Sequence, residues 1–102
     1  MGFTANRVPA AAVTSVPDSA SVVDLAAANP NRAGLWIQNN STEILFVKMG
    51  ATATTADYSV EIPARTATLA TIWVMPPSPI YTGVVTGIWA NNSSGSAKVT
   101  EF

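Results

Sequence analysis

Apolar and polar residues alternate in short runs along this chain, and clusters of Asn, Pro, Gly and Ser separate the runs. The clearest alternation covers residues 58–62, where Tyr58, Val60 and Ile62 are separated by polar residues. Side chains of a β-strand point alternately to the two sides of its sheet. This period of two therefore predicts a strand whose Tyr58, Val60 and Ile62 side chains face inward.

Further runs of the same length predict more strands and no helix. The chain contains eleven Val, six Ile and twelve Thr against only four Leu, and β-branched side chains fit a pleated sheet better than a helix. We expect strands over residues 11–16, 21–27, 35–38, 44–49, 58–62, 66–74, 80–90 and 97–102. Seven or eight short antiparallel strands in one all-β domain are typical of a β-sandwich, a jelly-roll-like fold or a small barrel.

Two turn-forming clusters, residues 39–42 and residues 91–95, each lie between apolar runs. This arrangement predicts a β-hairpin at each cluster. The strand after the first cluster, residues 44–49, carries apolar side chains on both faces. Such a strand is expected either at the centre of a sandwich or against a partner chain.

Proline and glycine mark the remaining boundaries. Asn-Pro at residues 29–30 predicts a turn that ends at Gly34, which can take a positive φ there. Gly83 and Gly87 interrupt the run over residues 80–90 and predict a bend or bulge there.

The start of the chain differs from the rest, because Pro9 and Pro17 interrupt regular strand pairing. We therefore expect residues 1–20 to form an extended N-terminal arm with one edge strand, followed by a β-sandwich domain over residues 21–102.

Charge is scarce in this sequence. Charged residues make up 11% of the chain against about 25% in an average soluble domain, and the net charge is −1. A surface with so little charge indicates either that part of it is covered by a partner or that it is coated with Thr and Ser. The five basic residues are scattered, so we expect no nucleic-acid partner, and no apolar stretch is long enough to predict a membrane span.

The sequence also lacks the side chains that most enzymes use. It contains neither His nor Cys, which removes the commonest general base, the commonest metal ligand and the best nucleophile. The six carboxylates form no motif for calcium or for glycoside hydrolysis. We expect a protein that is not an enzyme, with no catalytic residue, no cofactor and no metal.

Three tryptophans, Trp36, Trp73 and Trp89, lie on three different predicted strands. They are expected to fill the core, to anchor a subunit interface, or to form a platform on which sugar rings stack. The sequence leaves these three alternatives open.

Several segments in order resemble a family of short virion proteins of tailed bacteriophages. The family pattern joins an N-P-x-R-x-G turn to an N-(D/N)-S-T segment and then to L-(Y/F)-V-K-x-G-A. It continues with a Y-(T/S)-V strand, a Y-T-G-x-(V/I)-x-G-I-W segment and a final A-(K/R)-V-T-E-(F/L). The corresponding segments here are residues 29–34, 39–42, 45–51, 58–60, 81–89 and 97–102.

The resemblance implies a capsid decoration (cement) protein that binds and stabilises the capsid shell. It also implies the major capsid protein as partner, a homo-oligomer with a trimer favoured, and a place on the capsid surface of the virion after assembly in the host cytoplasm. A receptor- or glycan-binding module of a fibre or tail is the alternative. The candidate interface residues are Arg7, Val8, Pro9, Val13, Trp36, Phe46, Trp73 and Trp89.

Overall fold

A computed structural model describes residues 11–102, and these residues form eight β-strands. Each of the eight predicted strands has a counterpart in the structure. The strands are β1 (Ala12–Pro17), β2 (Val23–Ala26), β3 (Leu35–Asn39), β4 (Leu45–Met49), β5 (Val60–Ile62), β6 (Thr71–Val74), β7 (Val85–Trp89) and β8 (Ser96–Glu101). No helix in this part of the chain is long and apolar enough to cross a membrane.

The strands form two four-stranded antiparallel sheets that pack as a sandwich. The first sheet has the order β1-β8-β3-β6 and the second has the order β2-β7-β4-β5. The all-β prediction is confirmed, and the sandwich is the form observed, since the sheets do not close into a barrel. β1 pairs with β8 along its full length, so residues 12–17 of the predicted arm are the expected edge strand and part of the first sheet.

Both predicted hairpins are wrong. β3 belongs to the first sheet and β4 to the second, so residues 40–44 carry the chain from one sheet to the other. The connection between β7 and β8 crosses between the sheets in the same way. A turn-forming sequence shows that the chain reverses direction. Packing decides which strand pairs with the segment that follows the turn.

The core lies between the sheets and is built from the inward face of each strand. β3 contributes Leu35 and Ile37, β4 contributes Leu45 and Val47, and all four side chains are almost fully buried. The remaining buried members of this cluster are Leu25, Ile62, Met75, Val85, Trp89, Ala97 and Val99. Because β4 lies inside the second sheet between β7 and β5, the central position that its two-faced pattern allowed is the one observed.

Three details of the strands differ from the predictions. β6 covers only Thr71–Val74 and β7 only Val85–Trp89, so both strands are shorter than the apolar runs that predicted them. Tyr58 precedes β5 and is 39% exposed, whereas Val60 and Ile62 do pack inward.

The run over residues 80–90 bends at Gly83, as predicted, and β7 begins after this bend at Val85. Gly87 continues β7 without interruption, and the bulge of this strand pair lies in β2, between Asp24 and Ala26. A Cβ on Gly87 would lie 2.7 Å from a methyl carbon of Leu25, so glycine makes room for this core side chain. Gly34 does not take a positive φ; the ring of Phe102 occupies the place of its Cβ, at 2.6 Å.

A carboxylate joins three chain connections at one end of the sandwich. Asp18 follows β1 and is buried. Its Oδ2 accepts hydrogen bonds from the hydroxyl of Ser41, at 2.7 Å, and from the hydroxyl of Ser93. The backbone N–H groups of Ser93 and Gly95 also donate to the carboxylate, at 3.0 and 3.2 Å. Asp18 therefore connects the β1–β2, β3–β4 and β7–β8 crossings.

These contacts change the acidity of Asp18. Burial by itself opposes ionisation, but the hydrogen bonds from Ser93, Ser41 and Gly95 outweigh it and hold the pKa of Asp18 below its ordinary value of 3.8. A lowered pKa in the folded state means that the ionised carboxylate stabilises the fold above pH 3.8, and that this stabilisation is lost as the pH falls through the folded-state pKa.

Asn39 forms a second polar contact between the sheets. It lies at the start of the β3–β4 crossing, which Asp18 also contacts. Its side chain is fully buried, and its Nδ2 donates to the carbonyl oxygens of Glu43 and Pro63 at 2.9 and 3.0 Å. Its Oδ1 accepts from the N–H of Ser41 and from Nε1 of Trp89, both at 3.1 Å. Asn39 ends β3 and Trp89 ends β7, so this amide ties the two sheets together through the core.

The opposite end of the sandwich is held by Arg32. Its guanidinium is fully buried and donates through Nε to Glu101 at 2.6 Å. Nη1 donates to the carbonyl oxygens of Tyr81 and Gly83, and Nη2 to that of Ala27. These contacts join the β2–β3 and β6–β7 connections to the end of β8.

We predict that Asp18→Asn lowers the free energy of unfolding by about 2 kcal/mol at pH 7, because hydrogen bonds to a charged group are replaced by weaker ones. The difference from the wild type should shrink below pH 3.8, where the native carboxylate itself becomes protonated. Urea denaturation between pH 7 and pH 2.5 measures both effects. Asp24→Asn, at an exposed carboxylate of β2, is the matched control and should follow the wild type. An unchanged difference down to pH 2.5 would contradict the prediction.

We also predict that Arg32→Lys lowers the free energy of unfolding by about 3 kcal/mol. An ammonium group cannot reach the carbonyl oxygens of Tyr81, Gly83 and Ala27 at once. The exposed Arg65, which donates from its side chain to Asn40, provides the control. Arg65→Lys should change the stability by less than about 0.5 kcal/mol. Thermal unfolding followed by circular dichroism compares the two variants, and equal melting temperatures would show that Arg32 has no special role.

Candidate interaction surface

The outer face of the first sheet carries apolar side chains that the domain leaves exposed. In the first row of paired residues, Val13 lies opposite Thr100, Thr100 opposite Trp36, and Trp36 opposite Val74. In the next row Ile72 of β6 lies opposite Gln38. We call Val13, Trp36, Ile72 and Val74 the apolar face; they are 65%, 38%, 54% and 60% exposed.

Local sequence explains why these residues face outward. In β3, Leu35 and Ile37 are buried in the core, so Trp36 between them must point to the other side. In β6, Trp73 packs against the core, which places Ile72 and Val74 outside. Trp36 is further held by Phe102, whose ring meets the indole edge to face with centroids 5.1 Å apart. The apolar face is therefore displayed on regular strands and not on loops.

The outer face of the second sheet is different, because the chain covers much of it. Thr86 lies on this side of β7, and its hydroxyl donates to the carbonyl oxygen of Gly50 at 2.8 Å and accepts from the N–H of Ala53 at 3.0 Å. These bonds hold the loop after β4 against the sheet, and Ala53 of this loop is buried. Within residues 11–102, only the outer face of the first sheet thus presents a row of exposed apolar side chains.

The second sheet's outer face also carries an aromatic pair and an ion pair. The rings of Phe46 and Tyr58 have centroids 4.9 Å apart. Two residues after Phe46 along β4, Lys48 Nζ lies 2.6 Å from Oδ2 of Asp57. Phe46, a predicted interface residue, is half-buried on this face.

The predicted interface residues are placed very differently. Val13 and Trp36 are exposed on the apolar face, whereas Trp73 is half-buried and packs against the core. Trp89 is completely buried, so among the alternatives for this residue burial selects the core. Arg7, Val8 and Pro9 lie outside the described residues.

The three tryptophans do not form a common platform. Trp36 points out of the first sheet, Trp73 points toward the sandwich interior from the neighbouring strand, and Trp89 lies in the core. A sugar-binding surface made of all three is therefore absent. Ile72 and Val74 are not among the residues predicted for the interface, although their alternation with Trp73 is a signal that the second face of β6 is free for another contact.

The chemistry of titratable groups offers no second candidate. Within residues 11–102, no group of three or more acidic, His or Cys side chains is placed to hold a metal ion. A groove of about 220 Å³ between β1 and β2 is lined partly by Asp24 and Glu101. Glu101 is already engaged with Arg32. The apolar face is consequently the strongest candidate for function.

No protein family, no curated protein and no solved structure matches this chain.

We predict that the same substitution changes the free energy of unfolding by very different amounts at two tryptophans. Trp89→Phe should lower the free energy of unfolding by about 2 kcal/mol, because it leaves a cavity in the core and removes the hydrogen bond to Asn39. Trp36→Phe should change it by less than about 0.5 kcal/mol, since the side chain is partly in water. Urea denaturation measures both values, and a similar cost at the two positions would refute the assignment of Trp89 to the core and Trp36 to the surface.

Proposed function

We propose that this chain is a capsid decoration protein of a tailed bacteriophage, which binds the major capsid protein and stabilises the shell. The observation that carries the proposal is the apolar face, an exposed set of large side chains on the rigid outer surface of the first sheet. Exposed apolar patches on small domains mark surfaces that bind other proteins. The order of sequence segments shared with phage virion proteins supports the same role.

The structure of the domain suits a protein whose role is to bind another protein. Arg32 at one end and Asp18 at the other fasten the crossings between the sheets, so the strands that carry the apolar face are held at both ends. In the part of the chain that the structure describes, every buried side-chain nitrogen or oxygen has a hydrogen-bond partner. A surface that is already ordered loses little conformational entropy when it binds.

The proposal includes a homotrimer on the capsid surface, with Arg7, Val8 and Pro9 contacting a neighbouring subunit or the shell. β1 begins at Ala12, shortly after these residues in the chain, and its Val13 belongs to the apolar face.

A binding experiment with capsid shells tests the proposal. The full chain is mixed with empty shells assembled from the major capsid protein of the same phage, and bound protein is measured after sedimentation. We predict saturable binding and a higher temperature of shell disruption. The double variant Ile72→Ser/Val74→Ser should bind at least about tenfold more weakly, because it removes two exposed apolar contacts.

Tyr58→Ser is the matched control, since Tyr58 is an exposed large side chain on the other sheet's outer face. It should bind as the wild type does, and circular dichroism should show that all variants are folded. Absence of binding by the wild-type chain would refute the proposal. Gold labelling of virions that located the chain on a fibre, together with glycan binding lost in Trp36→Ala, would replace it with the receptor-binding alternative.

A further inference from the structure

One cationic side chain lies next to the apolar face. Lys98 is on β8, an inner strand of the first sheet, and is exposed on the same side as Trp36. In its row Lys98 lies between Ser15 of β1 and Gln38 of β3, and Gln38 in turn lies opposite Ile72. A partner that covers the apolar face must therefore also cover this lysine.

Lys98 has no carboxylate of its own chain to pair with. Within residues 11–102 the ion pairs are Arg32 with Glu101 and Lys48 with Asp57. Residues 1–10 include neither Asp nor Glu. The comparison with Lys48 is direct, because that lysine lies on the outer face of the other sheet and is paired with Asp57 at 2.6 Å.

Covering an unpaired ammonium group with an apolar surface removes its hydration and opposes binding. This desolvation cost is offset when the partner provides a carboxylate beside the ammonium group, because each charge then replaces the water that the other has lost. The face therefore fits a surface whose apolar side chains surround an acidic one.

A second copy of this chain does not supply that acidic group from the same face. The two outward rows of the first sheet contain Val13, Ser15, Trp36, Gln38, Ile72, Val74, Lys98 and Thr100, and none of these is acidic. In a two-fold dimer the same patch meets itself, so two lysines would be enclosed without a counter-charge. Charge thus disfavours a two-fold contact of this face with itself.

We infer that the apolar face docks onto a different protein, at a patch where apolar side chains surround a carboxylate, and that this carboxylate pairs with Lys98. The inference rests on the proposed function, in which the partner is the major capsid protein. Contacts between copies of the decoration protein then use other surfaces of the domain.

Charge variants of Lys98 test the inference in the shell-binding experiment. Lys98→Glu should weaken binding at least tenfold, because it places like charges together, and Lys98→Met should weaken it less. Wild-type binding should weaken between 50 and 500 mM NaCl, and Lys98→Met should show a smaller dependence on salt. Lys48→Glu is the matched control: a strand lysine on the opposite outer face whose reversal should leave shell binding unchanged.

The outcomes separate the inference from the proposed function. If the wild type and Lys98→Glu bind shells equally, the inference is overturned and the decoration role stands. If the wild type does not bind shells at all, the proposed function falls and the inference with it. Sedimentation velocity provides the remaining test, since Ile72→Ser/Val74→Ser should keep the oligomeric state of the wild type. A change in that state would show that the face contacts another copy.

Discussion

The fold depends on one buried carboxylate. A sandwich of this topology must carry the chain from sheet to sheet repeatedly, and Asp18 fastens three of those crossings at a single point. The donors come from two other connections, β3–β4 and β7–β8, so the carboxylate fixes how the two sheets are placed and not merely one turn. The buried Asn39 extends this polar contact into the core by holding Trp89. These polar contacts fix the relative placement of the two sheets, and the apolar packing between them therefore has a defined geometry.

Arg32 plays the equivalent role at the other end, and together the two residues leave the outer faces free to differ. The second sheet uses Thr86 to hold a loop over its outer face, whereas the first sheet leaves Trp36 and its neighbours open. The two outer faces therefore differ: one is partly covered by its own chain, and the other leaves its apolar side chains exposed. The two outward rows of the first sheet carry a single charged side chain, that of Lys98.

The sequence predicts where the strands are but not how they are joined. Runs rich in Val, Ile and Thr identify all eight strands because pleated, half-buried surfaces select such side chains. The crossings at residues 40–44 and 90–95 look like hairpin turns, since the same residues favour any tight reversal, and the partner strand is chosen by long-range packing. Trp36 and Trp89 illustrate the same limit for the site. Both lie on strands with apolar side chains on two faces, and only the placement of the sheets decides which one meets water.

The position of β8 has a consequence for the order in which the protein forms. Its residues, Ser96–Glu101, form the last of the eight strands in chain order, yet they lie inside the first sheet between β1 and β3. Before β8 is in place, β1 lacks its partner strand and β3 has only β6, so the first sheet cannot be completed. The row that contains Val13 and Trp36 is likewise divided until β8 joins its two halves. Completion of the first sheet and formation of the whole apolar face are therefore one event.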